Sequence, residues 1–217
     1  MFIAMNADSS PRRGVHLLRE RLKEETRTVI LDAAEAVFAE QGYHGGRMMD
    51  IAARAGIAVG TVYNYFDDRK QLLAALLDRY GAQLDVELDR VLRGSMAFEA
   101  RLAAFLDAVL GHLEARWQVF AILIEDELAV GRDSSGKSSH RPALHEVYHA
   151  AEKLFRIGMK EGALRPDASE LYPALLVGTV RALFTHQLYT KRGAPLRGRV
   201  PELASFFLHG AAAGEGP

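Results

Sequence analysis

Apolar residues return every three or four positions along nearly all of this 217-residue chain, a beat that suits helices and excludes the one-in-two alternation of half-buried strands. From Leu17 to Glu40 the beat is carried by Val29, Ile30, Ala33, Ala34, Val37 and Phe38, and Gly42 supplies a stop. Short helices are predicted over Met48–Ala55, ended by Gly56, and over Val59–Tyr65. Asp67-Asp68 then caps a long helix reaching about Arg93, with Leu72, Leu73, Leu76, Leu77, Leu84 and Leu88 on its inner side. Further helices are expected at about 97–115, 117–131, 141–161, 169–190 and 199–213, separated by Gly-, Pro- and Ser-rich stretches. The helix 117–131 is apolar nearly all round, so it is expected to be the central strut of the second half. The fold class is therefore all-α.

The segment MMDIAARAGIAVGTVYNYF carries more than periodicity. Two short helices joined by a tight Gly-centred turn, with alanines where they approach, have the form of a helix-turn-helix. Ile51, Ala52, Ala55, Val62 and Phe66 would pack inward. That leaves Val59, Gly60, Thr61 and Asn64 on an outward face small enough to enter a DNA major groove about 12 Å wide.

At these residues the chain resembles the TetR family of bacterial transcriptional regulators. The likeness runs from Ile30 to Leu73, through Ile-Leu-x-Ala-Ala, Phe-Ala-Glu-x-Gly-Tyr, Asp-Ile-Ala-x-x-Ala-Gly-Ile and Gly-Thr-Val-Tyr-x-Tyr-Phe. Beyond residue 80 it is architectural. The resemblance implies an arm and helix start at 1–23, an N-terminal three-helix DNA-binding domain at 24–70, and a C-terminal helical ligand-binding and dimerisation domain at 71–217.

It places Val59, Gly60, Thr61 and Asn64 where base edges are met, and Tyr63 and Tyr65 where hydroxyls bind phosphates. Arg69 stands where the family usually has a phosphate-contacting lysine, followed by Lys70. The chain departs from the family pattern in having Gly46 and Arg47 where a capping Thr or Ser is usual. Arg47 is expected to keep the phosphate contact. Ala58 replaces a capping Ser, a loss of about 1 kcal/mol, and Val59 replaces a polar or basic residue, which favours a thymine methyl.

The resemblance also implies a small-molecule effector inside the second domain, with Phe105, Trp117, Phe120, Leu123, Ile124 and Tyr148 as candidate lining. It implies a homodimer interface on the last two helices, with Leu175, Gly178, Thr179, Ala182, Leu203, Phe206 and Phe207 as candidates. The implied activity is regulation without catalysis or cofactor: a repressor that binds a palindromic operator and is released by its effector.

Composition narrows the alternatives. With no cysteine, disulfides, thiolate zinc sites and iron–sulfur clusters are excluded. No apolar run approaches the roughly 20 residues that cross a bilayer, so a cytoplasmic location is expected. The net charge of −1 gives no global pull toward DNA, and residues 1–70 balance ten Lys/Arg against ten Asp/Glu. Arg12, Arg13, Arg47, Arg54, Arg69 and Lys70 are the cations that can gather on one side.

Two rival readings follow from other features. His145-Glu146-Val147-Tyr148-His149 matches the zinc-hydrolase pattern H-E-x-x-H, but that pattern arises by chance in roughly one such chain in fifty. Helical spacing points both histidines outward, beside Arg156, and the metzincin Gly and His are replaced by Glu152 and Phe155. A helical protein-binding adaptor is the other rival.

Overall fold

The computed structural model describes residues 11–130, 141–165, 170–190 and 195–211, side chains at 11–13, 123, 125–130, 141–145, 210 and 211 excepted. The expected arm at 1–10 and the loops at 131–136 and 192–194 lie outside these residues. Among the described residues the chain is helical without strands: α1 (Pro11–Gly45), α2 (Met48–Ala55), α3 (Val59–Tyr63), α4 (Arg69–Arg93), α5 (Phe98–Ala115), α6 (Trp117–Val130), α7 (Arg141–Lys160), α8 (Leu171–Thr190), a 3₁₀ turn (Leu196–Arg199) and α9 (Val200–Ala211). It divides into two compact units, residues 1–72 and 73–217.

Unit 1 is built on α1. This helix starts at Pro11, ahead of the apolar beat that begins near Leu17; proline suits a first helical position, where its missing N–H has no partner to lose. Ile30, Leu31, Ala34, Val37 and Phe38 are buried with Ile51 and Ala52 of α2, Val62 of α3, Phe66 and Leu72. Gly42 (φ 70°, ψ 166°) bends α1 out of helical geometry near its end. Gly46 is buried for a second reason: a Cβ there would come within 2.9 Å of Val37 Cγ1 and 3.0 Å of Phe38 Cδ1. The close approach of α1 to the start of α2 thus excludes the Ser or Thr usual at that position.

Local hydrogen bonds explain the punctuation. Gly56, left-handed at φ 69°, closes α2 as a Schellman motif: Ile57 N–H donates to the Ala52 carbonyl and Gly56 N–H to that of Ala53. Asp68 caps α4 by accepting the Gln71 N–H at 2.8 Å, while the Gln71 side chain accepts from Asp67 N–H at 3.0 Å and donates to Asp67 Oδ2 at 2.7 Å.

In unit 2 the central helix is α5, which packs against α6, α7, α9 and the 3₁₀ turn. This corrects the expectation that 117–131 is the strut. On α6, Val119 and Ala121 are buried, but Trp117, Phe120, Ile122 and Ile124 are half-buried and Gln118 is exposed. An all-round apolar pattern marks a helix with no polar face; which helix takes the middle depends on what surrounds it. On α5, Phe98, Leu102, Phe105, Leu106 and Val109 are buried, and so is Arg101. Arg101 donates to Glu161 Oε1 at 2.9 Å and to the Gly94 carbonyl at 2.7 Å, tying the start of α5 to the turns after α4 and α7. Gly158 fits tightly on α7, where a Cβ would meet Phe98 at 2.6 Å and Leu164 at 2.7 Å.

Candidate nucleic-acid interface

The geometry around Thr61 follows from one buried residue. Val62 has no exposed surface and pins the middle of α3 to α2. Phe66 anchors the following turn, where its N–H donates to the Val62 carbonyl. With those two inward, the opposite side turns to solvent. Val59 is 41% exposed and Tyr63 50%. Ala58, Gly60 and Asn64 are exposed, and Thr61 and Tyr65 are half-buried. A Cβ at Gly60 would touch nothing within 4 Å, so backbone is bare there. From Ala58 to Tyr65, every position except Val62 is thus exposed or half-buried. The helix is shorter than expected: Asn64 and Tyr65 form a turn after Tyr63.

Caps behave as the substitutions imply. Ala58 precedes α3 with no side-chain cap, and Arg47 precedes α2 with none of its own. Asp50 compensates at α2 by accepting the Arg47 backbone N–H at 3.2 Å, which leaves the Arg47 side chain exposed.

Two of the expected surface cations are engaged inside the unit. Arg69 Nη1 donates to the carbonyls of Tyr43 (2.9 Å), His44 (3.1 Å) and Gly46 (3.1 Å), and its guanidinium lies 5.2 Å from the Tyr43 ring centre. It therefore neutralises the carbonyl-rich end of α1, where a cation is favoured. Arg54 donates to Glu40 at 2.6 Å, and this bond holds the Glu40 carboxyl below its usual range. Lys70 is exposed. Sequence spacing placed these cations on a helix but not the carbonyls and carboxylate that face them.

The other candidates scatter. Phe105 is fully buried among the packed side chains of the core of unit 2. Trp117, Phe120, Ile124 and Tyr148 are half-buried, Trp117 lying against Phe184 at 4.3 Å; the Leu123 side chain lies outside the described residues. A cleft of about 210 Å³ opens elsewhere, lined by Gln83, Glu87, Asp107, Gly111, His112 and Arg197 among others, and it includes none of the six candidates. Arg197 grips the Asp107 carboxylate through two nitrogens there, holding it below its usual range. Only the polarity of Asp107, Glu87 and Arg197 could have signalled this cleft, and their positions in the sequence are too far apart to join.

On α8, Leu175, Gly178 and Ala182 are exposed, while Thr179 is half-buried and donates to the Leu175 carbonyl at 2.6 Å. On α9, Phe206 is 63% exposed and Leu203 half-buried, but Phe207 is buried 6.1 Å from Phe155. Phe207 is therefore core and not an outward contact: adjacent helical residues point about 100° apart, so only one of the pair can face out. On α7, His149 Nδ1 lies 2.8 Å from Glu152 Oε2, and Glu146 and Arg156 are exposed. The His145 side chain lies outside the described residues.

His112, 7% exposed, sits between the rings of Tyr80 and Phe120 with Arg116 Nη1 3.2 Å from its Nδ1. Burial, and then the Arg116 charge, push its pKa down to about 4. The unfolded chain takes up this proton near pH 6.5, so the stability that neutral His112 represents is present above that pH and lost as pH falls toward 4. Denaturant melts at pH 7 and pH 4 are expected to differ by about 3 kcal/mol from this group, and His112→Gln is expected to flatten the profile between those values.

Comparison with known proteins adds four findings. A family described as "Bacterial regulatory proteins, tetR family" matches residues 30–76. The HTH-type transcriptional repressor KstR of Mycobacterium tuberculosis is 33% identical over 166 residues, covering 75% of this chain and 70% of that protein. The HTH-type transcriptional activator FasR of Mycolicibacterium smegmatis is 32% identical over 116 residues, 54% of this chain, and the match spans about half (51%) of FasR. The solved structure of the transcriptional regulator FadR from Bacillus subtilis, in complex with stearoyl-CoA, superposes with a TM-score of 0.71 at 22% identity, over 84% of this chain and 98% of that one, and so has the same fold.

Proposed function

This chain belongs to the tetR family of bacterial regulatory proteins and is a DNA-binding transcriptional regulator; from that premise we propose that it is a repressor that binds a palindromic operator as a homodimer and is released by a small molecule. The observation that carries the reading is the bare face of α3 over fully buried Val62. In it, Val59, Gly60, Thr61 and Asn64 meet base edges in the major groove, and Tyr63 and Tyr65 fix the register on phosphates. Arg47 and Lys70, both exposed, add phosphate contacts. Arg69 acts at one remove, holding the end of α1 against the start of α2.

The exposed apolar line Leu171, Leu175, Gly178 and Ala182 on α8, with Phe206 on α9, supports pairing of two copies through these helices. Two heads then act as one bivalent unit on half-sites a helical turn or a multiple apart. The effector site is assigned to unit 2, where half-buried Trp117, Phe120, Ile124 and Tyr148 leave apolar surface partly uncovered. Its occupant releases DNA only by as much as it prefers one conformation, about 1–3 kcal/mol of coupling. Binding selection on random duplexes at stated salt is expected to recover two inverted half-sites. Recovery of no preferred sequence, with no retardation of any fragment, would instead leave a protein-binding adaptor.

A further inference from the structure

Every described residue of α1 from Gly14 to Glu25 is exposed, so the first part of this helix projects from unit 1 without packing on it. Its charge differs from the rest. Residues 11–27 hold six Lys/Arg against three Glu, a net charge of +3, whereas residues 28–72 hold four against six, −2. Of those four, Arg54 is paired with Glu40 and Arg69 Nη1 is committed to three carbonyls. Residues 28–72 therefore carry a small net negative charge, with Arg47 and Lys70 as their exposed cations, while the net positive charge of unit 1 lies on the overhang.

The placement of that charge is ordered. Arg19, Lys23 and Arg27 follow one another at four-residue steps, with His16 one turn earlier, so they share a side of the helix. Continued by three and four residues, the same side becomes the buried line Ile30, Ala34 and Val37, which faces the rest of unit 1. Arg27 closes the join: its guanidinium lies 5.5 Å from the ring of Phe66, the residue after Tyr65. Glu24 lies 3.8 Å from Arg27, and Glu20, Glu24 and Glu25 flank the line. Leu18, Leu22 and Val29 run along an adjoining side and are exposed, Val15 lies one turn before Arg19, and Arg21 points away from the basic line.

We infer that this overhang is a second DNA-contacting arm, its Arg19–Lys23–Arg27 side lying along the phosphate backbone that flanks the half-site read by α3; the inference rests on the regulator reading. Spanning residues 11–27, it is roughly 24 Å long, about seven base-pair steps. With every described side chain from Gly14 to Glu25 exposed, this stretch gains little from tertiary packing, and contact with a dense line of negative charge would stabilise it. The contacts are to backbone, so the arm raises affinity and salt dependence without changing which sequence is chosen.

The test measures binding of the full chain to a labelled mixed-sequence duplex between about 50 and 200 mM salt. Arg19→Gln with Lys23→Gln keeps exposed positions and good helix formers, so helical content is expected to hold. The slope of log affinity on log salt is expected to be shallower by about 1.8 per bound protomer, about 0.9 for each lost phosphate contact. Leu18→Gln with Leu22→Gln, which removes no charge and lies beside the basic line, is expected to leave the slope unchanged. A basic-side variant with the wild-type slope overturns the arm alone. A wild-type chain that binds no duplex at any salt overturns the regulator reading and the arm with it. A change confined to the Leu18/Leu22 variant, with altered mass in solution, overturns the arm in favour of contact between copies.

Discussion

Val59→Glu is expected to cost DNA affinity roughly 30-fold or more, at least about 2 kcal/mol, while leaving folding stability unchanged or slightly raised. The two effects separate because Val59 is 41% exposed at the first position of α3 and supports no core. Removing an apolar contact with a base edge costs about 1–3 kcal/mol, and a carboxylate set among phosphates adds like-charge repulsion. In the free protein the same carboxylate lies beside unpaired N–H groups in the first turn, which Ala58 leaves without a side-chain cap, and anions are favoured there. Titration against the selected operator, with thermal melting in parallel, checks both halves. Full affinity in the variant would mean that α3 does not enter the groove.

Phe155→Ala is expected to destabilise unit 2 by about 3–5 kcal/mol, the range for emptying a fully buried aromatic site. Phe155 has no exposed surface, and its ring has the rings of Tyr172 at 5.3 Å, Phe207 at 6.1 Å and Phe98 at 6.4 Å around it. These neighbours belong to α8, α9 and α5, so their packing holds them apart and a cavity remains after truncation. For a chain of this size the melting temperature should fall by about 6–20 °C, read by calorimetry. Phe155→Leu, which refills part of the volume, is expected to lose less. A melting temperature within a degree or two of wild type would show that the site collapses freely.

The helix boundaries were legible because their causes are local. Gly56 ends α2 through its own left-handed backbone and two hydrogen bonds spanning a few residues, and Asp68 starts α4 by reaching three residues ahead. The exposure on α3 was partly legible for the same reason: with Val62 inward, helical geometry turns Gly60 and Asn64 the other way, while Val59, one turn before Val62, is exposed because it opens the helix. What a distant element decides was not legible. Spacing cannot tell that Arg69 meets carbonyls 23 to 26 residues away, or that Arg54 meets Glu40. It cannot choose Phe207 over Phe206 as the buried ring, nor α5 over α6 as the centre of unit 2. It also gave no sign that Gly46 must lack a side chain because Val37 and Phe38 lie against it.

By itself, then, the order of residues determined that the chain is all helix, where most helices stop, and which short segment presents a groove-sized face. Backbone dihedral preference and hydrogen bonds between near neighbours act over a few residues, and those residues are all in view along the chain. Only the tertiary structure decided which cations remain exposed to a partner, which aromatic rings fill the core, and that the first part of α1 extends unpacked with its positive charge. Each of those depends on what lies opposite once the helices meet, and burial and charge pairing are properties of that meeting rather than of any one segment.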